Sequence, residues 1–147
     1  MANISSNSDM VLGRQISVHS EKEGFPELTD IDIAIVGIAD ARGAGREDCS
    51  QELYYIRKEL YRLYVGNWKK RIADLGDVKP GATVQDTFFV VANTVEYLLK
   101  NNIIPIILGG SQDITYANYR AYDNLVQTVN LAAIDSRFDI GTSEHDL

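Results

Sequence analysis

The sequence predicts an α/β fold, a three-layer sandwich with a mostly parallel sheet between helices. Three observations predict it. Short β-branched apolar runs alternate along the chain with longer segments of helical periodicity. The runs at residues 31–38 (IDIAIVGI) and 103–108 (IIPIIL) are apolar almost throughout, as in strands buried on both faces. Glycines follow these runs, where a strand must turn into a helix.

Residues 1–30 are polar and mixed and read as an N-terminal arm; residues 31–147 read as the α/β domain. The first strand, 31–38, leads into a loop, ADARGAGRED. Asp48 with Gln51 three residues later has capping-box spacing, and Leu53, Ile56, Leu60 and Leu63 recur at helical intervals until Gly66. Tyrosines 54, 55, 61 and 64 widen that helix's apolar face, by packing or as a subunit interface. Residues 71–75 (RIADL) form a second short strand, with GDVKPG behind it as a loop. Thr83 and Asp86 cap a helix over 85–100 that carries Phe88, Val91, Val95, Leu98 and Leu99. The third strand, 103–108, contains Pro105, which lacks a ladder donor and so argues against a central position. A helix over about 114–124 and a fourth strand over 131–134 complete the alternation. Such an order implies right-handed crossovers, and ligands then bind outside the C-terminal strand ends.

The net charge is −7, with 14 Lys and Arg against 21 Asp and Glu. An acidic balance argues against nucleic acid and anionic membrane as partners, since phosphate binding needs clustered cations. No apolar run approaches the ~20 residues of a membrane-spanning helix. The polar start, with no basic-then-apolar leader, and a single cysteine point to the cytoplasm.

Three strand-end segments can carry chemistry. ARGAGRED (41–48) is a flexible connection or an anion loop; it lacks the G-x-G-x-x-G dinucleotide pattern. GGSQD (109–113) opens a helix, with Ser111 or Asp113 as its cap. In IDSRFD (134–139), Asp135, Arg137 and Asp139 fall on one side of an extended chain. Two carboxylates there suit a divalent cation, whereas Arg137 between them suits a self-contained ion-pair cluster. His19 and His145 are too isolated in sequence to form a metal pair. Cys49, beside a helix start, is a structural thiol or, less simply, a thiolate nucleophile.

Taken in order, four stretches resemble the N-terminal half of the ureohydrolases, the family of arginase, agmatinase and formiminoglutamase. They are IAIVGIADARGAG, RIADLGDV, IIPIILGGSQDITYANYRAY and NLAAIDSRFDIG. The last two look most like a divergent, formiminoglutamase-like branch. The resemblance implies an arginase-like three-layer sandwich, truncated to its first half. It also implies hydrolysis of C–N bonds in a small linear amidine or guanidino substrate by hydroxide held between two Mn²⁺ ions. A subunit left with an open sheet edge is expected to form a homo-oligomer.

The family's metal ligands carry over as follows. The histidine of its GGDHS-type motif falls on Gln112, a neutral oxygen donor. The aspartates of its D-A-H-x-D motif fall on Asp135 and Asp139, which are retained. The histidine between them falls on Arg137, which cannot ligate. The later D-x-D ligands and the catalytic histidine and glutamate are not in the sequence. No catalytic residue is therefore assigned, and Mn²⁺ is expected to bind weakly or not at all. The expected function is a ureohydrolase-family protein that is inactive as given; the alternative is a non-catalytic binding or assembly module that retains the fold.

Overall fold

The computed structural model describes residues 10–20, 22, 24–123, 125 and 128–135. Four strands, β1 (Ser17–Val18), β2 (Ile33–Ile38), β3 (Ile72–Val78) and β4 (Ile104–Leu108), alternate with three helices. These are α1 (Ser50–Leu60), α2 (Val84–Lys100) and α3 (Ile114–Arg120). All strand pairs are parallel and the sheet order is β1-β3-β2-β4. The expected parallel α/β architecture is the observed one.

The order follows from handedness. The β2–α1–β3 and β3–α2–β4 crossovers run in opposite directions across the sheet, so right-handed connections put α1 and α2 on opposite faces. On the α2 face, Ala34, Val36 and Ile38 of β2 meet Val91, Val95 and Leu98 of α2 and Ile114 and Ala117 of α3. This is the main core. Helix α2 opens with the expected capping box: Thr83 Oγ1 accepts from the Asp86 amide, and Asp86 Oδ2 accepts from the Thr83 amide.

Several elements differ from the sequence expectation. The N-terminal arm contributes β1, whose two residues pair with Ala73 and Asp74 at the sheet edge. Helix α1 is capped at Cys49, not Asp48; Asp48 instead accepts from the Ser50 amide and hydroxyl. It ends at Leu60, short of Gly66. Strand β3 continues through GDV rather than stopping at Leu75. A bulge permits this: the register steps from Ile35↔Asp74 to Gly37↔Asp77, and Gly76 takes φ +81°.

Residues 131–135 are exposed and form no strand, although a fourth strand was expected there. The available edge belongs to β4, which among the described residues pairs only with β2. The Ile104 amide donates to Asp32 of the β2 segment, so by alternation Pro105 and Ile107 turn their backbone outward. Proline has no N–H, so this edge offers a strand one outward donor, Ile107, along its length. Pro105 thus sits where its missing donor interrupts no bond to β2.

Candidate functional site

The strand-end loops converge on Asp40, two residues past β2 and 1% exposed. Its carboxylate accepts from Arg42 Nε (3.0 Å), Arg42 Nη2 (2.6 Å) and the Arg42 amide (3.1 Å). It also accepts from Thr87 Oγ1 (2.7 Å), which itself accepts from the Gly81 amide. Hydrogen bonding from Arg42, reinforced by Thr87, outweighs burial and lowers the Asp40 pKa to about 2. The Asp40 carbonyl accepts from the Ser111 amide, tying this loop to the GGSQD turn after β4. Arg42 is therefore a clasp and not the free cation of an anion loop. Arg46, the loop's other arginine, pairs with Glu52.

After β4 the chain turns through Gly109 and Gly110, with φ of +71° and +83°. A Cβ on Gly109 would collide with Leu53, and one on Gly110 would crowd Ile114. The turn delivers Ser111, Gln112 and Asp113 to the strand ends. Ser111 Oγ donates to Asp113, whose carboxylate lies directly against Gly43 of the first loop. Asp113 is the N-cap of α3 by position, but its side chain makes no capping bond. Gln112 is exposed at this turn. Beside the loops, a polar cleft of about 600 Å³ is lined by Arg42, Glu47, Asp48, Ser50, Lys79 and Pro80.

A second buried ionic network was not expected. Asp74, in β3 and 1% exposed, accepts from Arg57 Nε (2.7 Å), Arg57 Nη2 (3.1 Å), Tyr61 Oη (2.7 Å) and the Gly76 amide (2.9 Å). Arg57 also donates to Asp77 (2.6 Å) and the Gly76 carbonyl (3.0 Å). Burial opposes charge on Arg57, but Asp74 and Asp77 outweigh it and raise its pKa. Burial and the neighbouring Asp74 push the Tyr61 hydroxyl well above its ordinary value. A Cβ on Gly37 would strike Asp77 and crowd Arg57. The DLGDV stretch thus bolts α1 to the sheet. The bolt's signal in sequence was an aspartate inside an apolar run, which must find a cation when buried.

The remaining candidates separate. Asp135 is exposed; Arg137, Asp139 and His145 lie outside the described residues. His19 is stacked on Phe25 at 4.3 Å, and its amide donates to the Asp74 carbonyl. Cys49 is buried and its thiol donates to the Ile38 carbonyl (3.3 Å), the structural role. Among the described residues, no group of three or more His, Cys, Asp or Glu is placed to hold a metal ion. Among them also, no helix is long and apolar enough to cross a membrane.

Comparison with known proteins places this geometry. The arginase family model matches residues 31–146. No curated protein matches the sequence. The Mn²⁺-bound formiminoglutamase of Trypanosoma cruzi superposes with a TM-score of 0.57 at 23% identity, over 76% of this chain and 40% of that one. The formimidoylglutamase of Bacillus subtilis gives a TM-score of 0.62 at 18% identity, over 82% of this chain and 40% of that one. At these identities the likeness is one of fold, and the chain spans about two fifths of the length of these neighbours. With a family match running from just before the first long strand through the IDSRFD segment, the chain belongs to the arginase family.

Proposed function

We propose that this protein is a formiminoglutamase-like ureohydrolase that keeps the fold of amidine-hydrolysing enzymes without their dinuclear manganese chemistry. The ligand class that goes with this reading is a small linear amidine or guanidino compound. The donor set does not fit two Mn²⁺ ions. Gln112 offers a neutral amide in place of an imidazole, and Arg137 offers no lone pair. Of the four ligand positions the sequence contains, Asp135 and Asp139 keep an anionic donor, and Arg137 stands between them in sequence.

One observation carries the reading. The support is an analogy within the chain: Asp40-x-Arg42, just past β2, is an Asp-x-Arg step with a known geometry. The arginine folds back on the aspartate with two side-chain bonds and a backbone bond. The same spacing recurs at Asp135-x-Arg137. Were that step closed in the same way, Arg137 would hold, by covalent attachment, a cation's place beside Asp135. An approaching Mn²⁺ would then meet a fixed positive charge beside its remaining ligands.

Titration calorimetry with Mn²⁺ tests this directly. The expected trace shows no stoichiometric binding, and no release of product from arginine, agmatine or formiminoglutamate. Two ions bound with a Kd on the order of micromolar would overturn the reading. The paired substitution Gln112→His and Arg137→His should raise Mn²⁺ affinity, since both imidazoles return.

A further inference from the structure

The acids at the strand ends differ in what balances their charge. Asp40 holds the Arg42 guanidinium, and Asp77, at the end of β3, holds that of Arg57. Asp113, at the turn after β4, is half-buried, and among the described residues no lysine, arginine or histidine pairs with it. Its one side-chain bond comes from Ser111 Oγ, a neutral donor. An ionised carboxylate accepts about four hydrogen bonds, so most of that capacity is open. A carboxylate partly withdrawn from water gains most from a cation.

The surroundings hold this carboxylate in place without neutralising it. Asp113 stands at the N-cap of α3, yet its side chain makes no bond to the helix. It lies flat against Gly43, where a Cβ would meet its Cγ and both carboxylate oxygens at once. Ser111 is buried, and its amide is fixed by the Asp40 carbonyl. The acid is therefore set between the first loop and the GGSQD turn. From this we propose that Asp113 binds the cationic end of the ligand, an amidinium or guanidinium group, which donates two parallel N–H groups to the carboxylate. The chain's own side chains make the same pairing: Arg42 on Asp40 and Arg57 on Asp74 each donate through Nε and Nη2 to the two carboxylate oxygens. The inference rests on the metal-free reading above and names the residue that carries the ligand's charge in it.

The probe is agmatine, titrated into the isotope-labelled protein in EDTA, with its neutral urea analogue as the control. The expected result is a saturable displacement of the Gly43 and Ser111 amide resonances by agmatine, with a Kd of about a millimolar or tighter, and none by the analogue. Asp113→Asn keeps an acceptor for Ser111 and removes the charge, so it should weaken binding by about tenfold or more with the remaining resonances unmoved. If that variant does not fold, the comparison of agmatine with its analogue on the native chain still decides. No displacement with or without Mn²⁺, equal displacement by both compounds, or binding unchanged in Asp113→Asn would overturn the inference and leave the metal-free reading standing. Displacement seen only when Mn²⁺ replaces EDTA would overturn both.

Discussion

Replacing Arg57 by leucine tests the bolt between α1 and the sheet. The substitution removes both Arg57 bonds to Asp74 and the bond to Asp77. Asp74 stays 1% exposed, held only by Tyr61 Oη and the Gly76 amide. Stripping one partner from a buried ion pair costs about 3–5 kcal/mol, because the other charge is left desolvated. Domains of this size are stable by about 5–15 kcal/mol, so the variant should fold with most of its margin gone. With a urea m-value of about 2 kcal/mol/M, the unfolding midpoint should fall by roughly 2 M. The informative comparison is the double substitution Arg57→Leu with Asp74→Asn, which removes the charge as well as its partner. It should recover about 1–3 kcal/mol of the single-variant loss. Asp77→Asn, at the more exposed end of the network, should cost about 1 kcal/mol and remain measurable if Arg57→Leu does not fold. A loss below about 1 kcal/mol for Arg57→Leu, or strict additivity with Asp74→Asn, would refute the argument.

Three further outcomes follow from the same geometry. Thr83→Ala removes the cap of α2 and should lower stability by about 1 kcal/mol in urea unfolding. Gly37→Ala places a methyl against Asp77 and Arg57 and should cost about 1–3 kcal/mol, with that cost reduced in an Asp77→Ala background. Asp40 has a folded pKa of about 2 against an ordinary 3.8. Its stabilisation, about 2 kcal/mol, is therefore complete above roughly pH 4 and is lost as the pH falls towards 2. Urea midpoints between pH 2 and 5 should fall less steeply for Asp40→Asn than for the native chain.

The strands and their parallel pairing were legible because they rest on composition. A run such as IAIVGI has no polar face to give to solvent, so only a doubly covered strand accommodates it. Pro105 was legible in the same way, since a proline in a strand points to an edge and β4 is one. Strand β1 left no signal because it is two residues held by backbone pairing, and backbone pairing is indifferent to side chains. The end of β3 was misplaced because Gly76 in sequence marks a turn, whereas here its positive φ absorbs a bulge and lets the ladder continue. The strand expected at 131–134 shows the limit of the same reasoning. Apolar residues make a strand possible, but a strand exists only where a neighbour supplies donors and acceptors.

The carboxylates show why the site was harder to read than the fold. Asp135 and Asp139 drew notice because two acids at a strand end suggest a cation. The same criterion passed over Asp40 and Asp74, which proved to be buried and fully bonded. Asp74 stood out only as an acid inside an apolar run; its partner could not be named, since Arg57 lies 17 residues away on α1 and only the fold brings them together. Asp40 could have been, because its partner stands two residues on. Asp40-x-Arg42, just past β2, is a closed unit: the guanidinium supplies the counter-charge and the donors to the carboxylate. An arginine in that position satisfies the neighbouring carboxylate before any ligand arrives. On the proposed reading, the arginine at position 137 does more than remove one donor, because in sequence it also sets a fixed positive charge between Asp135 and Asp139.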